Sequence, residues 1–450
     1  MEKDLTQGSV AKTILLFACP MILGNLLQQC YNIVDTLIVG KFLGSDALAA
    51  VGSAYTLMTF LTSIIIGLCM GSGTVFSVCF GKKNKQQMKN SIVSSFLFIA
   101  AVTVVINVFV FSGIGFILHI LRVPDDIYST MYEYVRVIFL GIFFTFLYNY
   151  FAFLLRAIGN SVIPLCFLGV GTVLNIGLDI LFVVVFHQSV GGAAVATVIS
   201  QAVSGIGIAV YVLLKEPEFC PGRDNFKIRK NTMLDIMRHS TAACVQQSVM
   251  NFGILMIQRL VNSFGAAVMA AFAAAVKIDS FAYMPAQEFG NAFSLFVSQN
   301  YGARKTERVY SGIRKAVKIS VIFCLMVSFA IFIFAPYLMQ IFVDVSESEI
   351  IQTGVGYLRI EGSFYFGIGI LFLLYGFYRG VEKPEMSLIL TVISLGTRVL
   401  LAYLLASIRS IRVLGIWWSI PIGWLLADLT GILCLKPIMA KTVAKQVAKK

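Results

Sequence analysis

Phe42-Leu43-Gly44-Ser45-Asp46-Ala47-Leu48-Ala49-Ala50 returns in altered form as Ser263-Phe264-Gly265-Ala266-Ala267-Val268-Met269-Ala270-Ala271. The same interval separates Phe80-Gly81-Lys82-Lys83 from Tyr301-Gly302-Ala303-Arg304. An interval two residues longer pairs Tyr134-Val135-Arg136 with Tyr357-Leu358-Arg359, and Arg156 with Arg379. The chain is therefore two halves of one pattern. Both copies lie among long apolar runs. Paired repeats of that kind suit a carrier that holds its substrate at the seam and moves one half against the other.

At 58% hydrophobic and 13% charged over 450 residues, the chain has too little charge for a water-facing surface. It reads as an integral membrane protein. Apolar runs of about 20 residues suffice to cross about 30 Å of hydrocarbon. Twelve occur, near 13–39, 47–80, 91–118, 128–155, 161–187, 191–214, 240–262, 267–301, 312–342, 350–378, 384–406 and 413–436. None shows the alternation of a membrane barrel strand, so the spans are helices. The expectation is an all-α membrane protein of twelve transmembrane helices, in two six-helix repeats around a central cleft. An N-lobe would cover 1–214, a cytoplasmic linker 215–239, a C-lobe 240–437 and a basic cytoplasmic tail 438–450.

The net charge of +13 is sorted by loop. Lys82, Lys83, Lys85 and Lys89 follow the second span; Lys215, Arg223, Lys227, Arg229, Lys230 and Arg238 follow the sixth; Arg304, Lys305, Arg308, Arg314, Lys315 and Lys318 follow the eighth. Lys436, Lys441, Lys445, Lys449 and Lys450 make the tail, whereas the intervening loops hold only Lys41, Arg122, Arg409 and Arg412. The positive-inside rule then places both termini in the cytoplasm of a cell membrane. The charge reports topology and contact with membrane lipid, not nucleic-acid binding.

In the linker, Pro217 and Pro221-Gly222 break helix, and Ile228, Met233, Leu234, Ile236 and Met237 alternate with charged residues, as in a short amphipathic helix. Pro20 inside the first apolar run, with no small-residue cleavage site after it, predicts that the first span is retained. The nine cysteines are scattered, form no C-x-x-C pair and suit packing. Only His119, His187 and His239 are histidines, and no Gly-Lys-Ser/Thr phosphate loop occurs. Enzyme chemistry and a bound cofactor are not expected.

A carboxylate within a span costs about 2.5–3.5 kcal/mol, which marks it for function. Gln28, Asn32 and Asp35 fall at helical spacing on the first span. Asn175 and Asp179 are one turn apart on the fifth, and Thr197 and Gln201 on the sixth. These oxygen donors suit Na⁺, and paired buried carboxyls equally suit a proton. The seventh span offers Gln246, Gln247, Asn251 and Gln258 but no acid. Further acids are Asp279 and Glu288 on the eighth, Glu361 on the tenth and Asp428 on the twelfth. Lys277 and Asp279 are too close in sequence to face each other, so their partners lie on other spans. Gln28, Asn32, Gln201, Gln247, Asp279 and Glu361 stand as secondary polar or substrate candidates. Thirty-seven Phe, seventeen Tyr and sixteen Met would give a cleft for flat organic cations an adaptable lining.

Several motifs carry a resemblance. They include Leu5-Thr6-Gln7-Gly8-Ser9, Asn25-Leu26-Leu27-Gln28-Gln29, Val34-Asp35-Thr36, Leu154-Leu155-Arg156-Ala157-Ile158-Gly159-Asn160 and Leu174-Asn175-Ile176-Gly177-Leu178-Asp179. Gly191-Gly192-Ala193, Ser298-Gln299-Asn300-Tyr301-Gly302-Ala303 and Gly415-Ile416-Trp417-Trp418 complete the set. In order and spacing the chain resembles the multidrug and toxic compound extrusion (MATE) family. The resemblance implies a two-lobe antiporter, driven by Na⁺ or H⁺, that exports drug-like or toxic organic compounds as a monomer. It also implies that Asp35, Asn175, Asp179 and Thr197 form a first-lobe cation site and that the first helix bends at Pro20. One branch of the family has a glutamate near Gln246 and Gln247, so that branch's second-lobe site is not expected here. A lipid-linked saccharide flippase of related fold and a gated channel are the rival readings.

Overall fold

A computed structural model describes residues 4–120, 123–227, 229–408 and 411–447. Arg122, Ile228, Arg409, Lys449 and Lys450 lie outside the described residues.

The first half of the element order is α1 (Val10–Leu43), α2 (Ser45–Gly81), α3 (Lys85–Ile120), α4 (Asp125–Leu140), α5 (Ile142–Ala157), α6 (Val162–Asp179) and α7 (Val190–Lys215). The second is α8 (Lys230–Asn262), α9 (Ala266–Gly302), α10 (Thr306–Met339), α11 (Ser348–Gly362), α12 (Tyr365–Gly380), α13 (Pro384–Ala406) and α14 (Val413–Val447). Helices alone satisfy their own backbone groups in lipid, which is why apolar runs of this length take that form. Nine of the described helices are long and apolar enough to cross a membrane. The expected fourth and tenth spans are each a bent pair, α4 with α5 at 45° and α11 with α12 at 51°, which brings the number to eleven. The expected seventh span lies within α8, whose Gln246, Gln247, Asn251, Gln258 and Arg259 make it too polar to count on composition alone. Its place in the repeat makes α8 the twelfth.

The repeat extends to backbone dihedrals. Gly44 and Gly265, which cap α2 and α9, have φ of 90° and 98°. Lys83 and Arg304 follow those helices with φ of 54° and 58°. Gly159 and Glu382 share a left-handed turn after α5 and α12. A conformation that L-residues avoid, recurring at matched positions, requires the two halves to be built to one plan.

The chain divides into two compact units. Unit 1 contains Leu23–Cys244, and unit 2 contains Leu5–Ile22 with the chain from Val245 onward. The first part of α1 thus belongs to unit 2 and the first part of α8 to unit 1.

In unit 1, α8 begins against α2: Ser72 and Ser240 share a hydrogen bond of 2.9 Å, and both are fully buried. A Cβ on Gly71 would collide with the backbone of His239 and Ser240, so glycine permits this approach. The stretch from Lys230 runs straight into α8, and the short turns Pro217–Phe219 and Arg223–Phe226 pack on unit 1 through Phe219 against Phe80 and Asn225 against Asn90.

Unit 2 has an aromatic centre. Phe272 stacks on Trp417 at 5.6 Å, and Tyr357 meets Trp417 edge-on at 4.9 Å. Helices α9 and α12 cross where Gly376 faces the carbonyl of Gly290.

Candidate functional site

Unit 1 gathers its polar side chains from α1, α6 and α7. Asp35 comes from about two turns before the end of α1, Asn175 and Asp179 from the last turn and a half of α6, and Thr197 from the second turn of α7. Asp179 is fully buried, Asn175 is 1% exposed, Thr197 4% and Asp35 9%. The carboxyls of Asp35 and Asp179 lie within hydrogen-bonding reach of each other. With its amide oriented to satisfy both ends, Asn175 donates to Asp179 Oδ2 at 2.8 Å and accepts from the Thr197 backbone N–H at 3.2 Å. Asp35 Oδ1 and Asp179 Oδ1 are buried with no hydrogen-bond partner among the described residues.

Two facing carboxyls without a cation between them repel in a low-dielectric interior and leave lone pairs unsatisfied. A shared proton or a small monovalent cation relieves both costs. The donors are oxygens, the chemistry of a hard ion. No group of three or more His, Cys, Asp or Glu suited to a metal ion occurs among the described residues, so a transition-metal centre has no ligand set there.

Local structure sharpens the site. Directly after Asp179 the helix widens into a π-helical turn, Ile180–Val185, a deformation often found at functional positions. Sequence reasoning missed two tyrosines. Tyr31 sits one turn before Asp35 and places its hydroxyl 3.5 Å from Thr197 Oγ1. Tyr134, from α4, is buried close enough for the charges of Asp35 and Asp179 to act on it. Its apolar surroundings hid Tyr134, but the four-residue spacing of Tyr31 from Asp35 was a usable signal.

The remaining sequence candidates stand apart from this cluster. Gln28 is exposed on α1, and Asn32 donates to the Tyr55 hydroxyl at 3.4 Å. Gln201 accepts from Thr145 Oγ1 at 2.8 Å, and Gln247 is half-buried on α8. Only Asp35 of the expected first-helix stripe enters the cluster, because Tyr31 rather than Gln28 or Asn32 shares its buried face. Pro20 lies within α1, in the part that belongs to unit 2.

Asp279 and Glu361 meet in unit 2. Tyr365 donates to Asp279 Oδ1 at 2.5 Å, and Glu361 lies within hydrogen-bonding reach of Asp279 and Tyr357. They line a cavity of about 90 Å³ with Arg398, Tyr283, Phe372 and Trp424. The partners of Asp279 are thus on other helices, as its spacing from Lys277 required. Lys277 instead lies 5.9 Å from the Phe342 ring centre.

A two-fold repeat of six membrane elements, with buried oxygen donors gathered inside a helical bundle, defines a multi-pass membrane transporter. Residues 20–181 and 242–404 each match the MatE family, together more than half of the chain. The chain belongs to the MATE family of multidrug transporters. It is 32% identical over 393 residues to a probable multidrug resistance protein, YpnP, of Bacillus subtilis, covering 87% of each chain. It is 26% identical over 416 residues to the probable multidrug resistance protein NorM of Thermotoga maritima, covering 91% of this chain and 88% of that one. Among solved structures, a MOP superfamily transporter from Pyrococcus furiosus Vc1 superposes with a TM-score of 0.92 at 25% identity, over 98% of both chains. The family match covers each half separately, in agreement with the repeat.

Proposed function

We propose that this protein is a cation-coupled antiporter of the cell membrane, with both termini cytoplasmic. Na⁺ or H⁺ moving down its gradient drives the export of drug-like, cationic and amphipathic organic compounds by alternating access of two lobes. The observation that carries this reading is the meeting of Asp35 and Asp179, buried with Asn175 and Thr197 and joined by the half-buried Tyr31. The pair takes up one cation because doing so removes like-charge repulsion, and it yields the cation where water can again solvate the carboxylates. One elementary charge falling through 100 mV supplies about 2.3 kcal/mol, enough for a concentration ratio of roughly fortyfold. The relatives' description as multidrug resistance proteins supports organic compounds as substrates.

The unit 2 cavity is a poor drug site. Drug-sized pockets span about 300–1,000 Å³, whereas this one is about 90 Å³ and holds a base opposite its acids. We assign Asp279, Glu361 and Arg398 to an internal charge network that sets how unit 2 packs. A flippase for lipid-linked saccharides needs basic groups free to hold phosphate, and Arg398 faces two acids instead.

Purified protein in vesicles, loaded with a fluorescent cationic dye and given sodium and pH gradients one at a time, tests the proposal. Asp35→Asn and Asp179→Asn should each abolish gradient-driven efflux with the protein still folded. Efflux at the parent rate in either variant refutes the assignment.

A further inference from the structure

The segment ahead of α1 is held by side chains from the end of α9 and the start of α10, all within unit 2. Leu5 N–H donates to Gln299 Oε1 at 3.0 Å, and the Leu5 carbonyl accepts from Asn300 Nδ2 at 3.2 Å. Lys305 Nζ donates to the Thr6 carbonyl at 2.8 Å. The Arg308 guanidinium donates to the carbonyls of Leu5 at 3.2 Å, Gln7 at 2.5 Å and Gly8 at 2.6 Å. Gly8, at φ +72°, adopts a left-handed turn that a side chain would strain.

Four successive carbonyls are thus read by a shaped receptor. Its floor is Gln299 and Asn300, both fully buried, and its rim is Arg308, braced 5.6 Å from the Phe296 ring centre, with Lys305. The Leu5 side chain is fully buried in the core of unit 2.

The grip divides into two kinds of contact. Leu5 is a dry anchor, but the bonds from Lys305 and Arg308 to Thr6, Gln7 and Gly8 are exposed, where water replaces them at little net cost. Beyond this segment α1 runs unbroken from Val10 to Leu43. Its part up to Ile22 belongs to unit 2 and its part from Leu23, with Asp35, to unit 1. One helix therefore joins the peptide receptor of unit 2 to the acid pair of unit 1.

We infer that Leu5–Gly8 is a releasable latch on the transport cycle, its socket formed by Gln299, Asn300, Lys305 and Arg308. Docked, it adds to the apolar hold that Val10, Ile14, Phe17 and Met21 already give the beginning of α1 in the core of unit 2. Released, it leaves that apolar hold alone to resist the beginning's following the segment that carries Asp35. The inference rests on the reading of the chain as a cycling carrier and adds the element whose undocking the cycle requires.

The test uses the full chain with its nine cysteines replaced, carrying Leu5→Cys and Gln299→Cys so that oxidation ties the peptide into its socket. Dye efflux from vesicles should fall at least tenfold on oxidation and return on reduction. Equal efflux in the oxidised and reduced forms overturns the latch. If the cysteine-free chain with Leu5 and Gln299 intact carries no dye, the carrier reading is at fault, and the latch is then decided by Leu5→Cys alone. Its modification by a membrane-permeable maleimide should quicken at least tenfold when a sodium or proton gradient is imposed. An unchanged rate overturns the latch independently of transport.

Discussion

Units 1 and 2 share a backbone plan and differ in where they bury acid. In unit 1 the paired carboxyls come from the first and fifth membrane elements of the repeat, α1 and α6; in unit 2 the pair comes from the second and fourth, α9 and α11, with a further buried acid, Asp428, on α14. At the interval that pairs Phe42 with Ser263, Asp35 falls on Met256 and Asp279 on Met58. At the interval that pairs Tyr134 with Tyr357, Asp179 falls on Ala402 and Glu361 on Ile138. Each acid therefore has an apolar counterpart. Surroundings diverge with position: the unit 1 pair is joined by Asn175, Thr197 and Tyr31, while the unit 2 pair shares its cavity with Arg398. The lesson is that the repeat conserves turns and crossings, and function is written in side chains that break it. The unit 1 acid pair has no base beside it, whereas Arg398 offsets one of the two acids in unit 2; on the function proposed above, that difference leaves the unit 1 pair to bind the mobile cation.

The largest effect that could break this comparison is functional. Asp35→Asn and Asp179→Asn should each abolish gradient-driven dye efflux, losing the roughly fortyfold concentration ratio that one charge moved through 100 mV supports. Next comes packing. A Cβ on Gly376 would meet the Gly290 carbonyl, backbone against backbone, so Gly376→Ala should cost unit 2 about 1–3 kcal/mol, read as a lowered midpoint of thermal unfolding in detergent. Its unit 1 counterpart is Phe153, and there the crossing of α2 on α5 takes its glycine from the other helix, Gly73, which faces Phe153.

Gly44→Ala and Gly265→Ala sharpen the likeness instead. Both residues hold a backbone conformation nearly reserved for glycine, and nothing lies within 4 Å of a Cβ at either. Each substitution should cost about 1–3 kcal/mol from strain alone, and the two losses should be equal. Unequal losses would show that the turns are not equivalent. Smallest is Thr197→Ala, which removes one hydroxyl beside Asn175 and Tyr31. It should weaken apparent cation affinity about fivefold, measured from efflux against sodium or proton concentration.

Much of the plan was legible in the sequence because it is local. Apolar runs, glycine turns and the basic loops that follow alternate spans depend on neighbours in the chain. The first-lobe candidates were legible too, since Asn175 and Asp179 lie one turn apart. What escaped depends on contacts distant in sequence. Asp279 and Glu361 are on separate helices, and neither carries a mark of the other. Nothing in the apolar run Ile180–Val185 distinguishes a π-helical turn from ordinary helix. The bends at Gly141 and at Ser363–Phe364 contain no proline to announce them. The polarity of α8 was visible, but its first turns packing into unit 1 follow from Gly67 and Gly71 on α2, far away in sequence.

The central claim is that unit 1 alone carries the coupling cation. Efflux from vesicles under imposed sodium and proton gradients, with Asp35→Asn/Asp179→Asn compared directly against Asp279→Asn/Glu361→Gln, tests it most directly. The unit 1 double variant should lose all response to either gradient, and the unit 2 double variant, once folded, should keep the parent's dependence on the driving ion. Gradient-driven efflux that survives in the first and vanishes in the second would contradict the account.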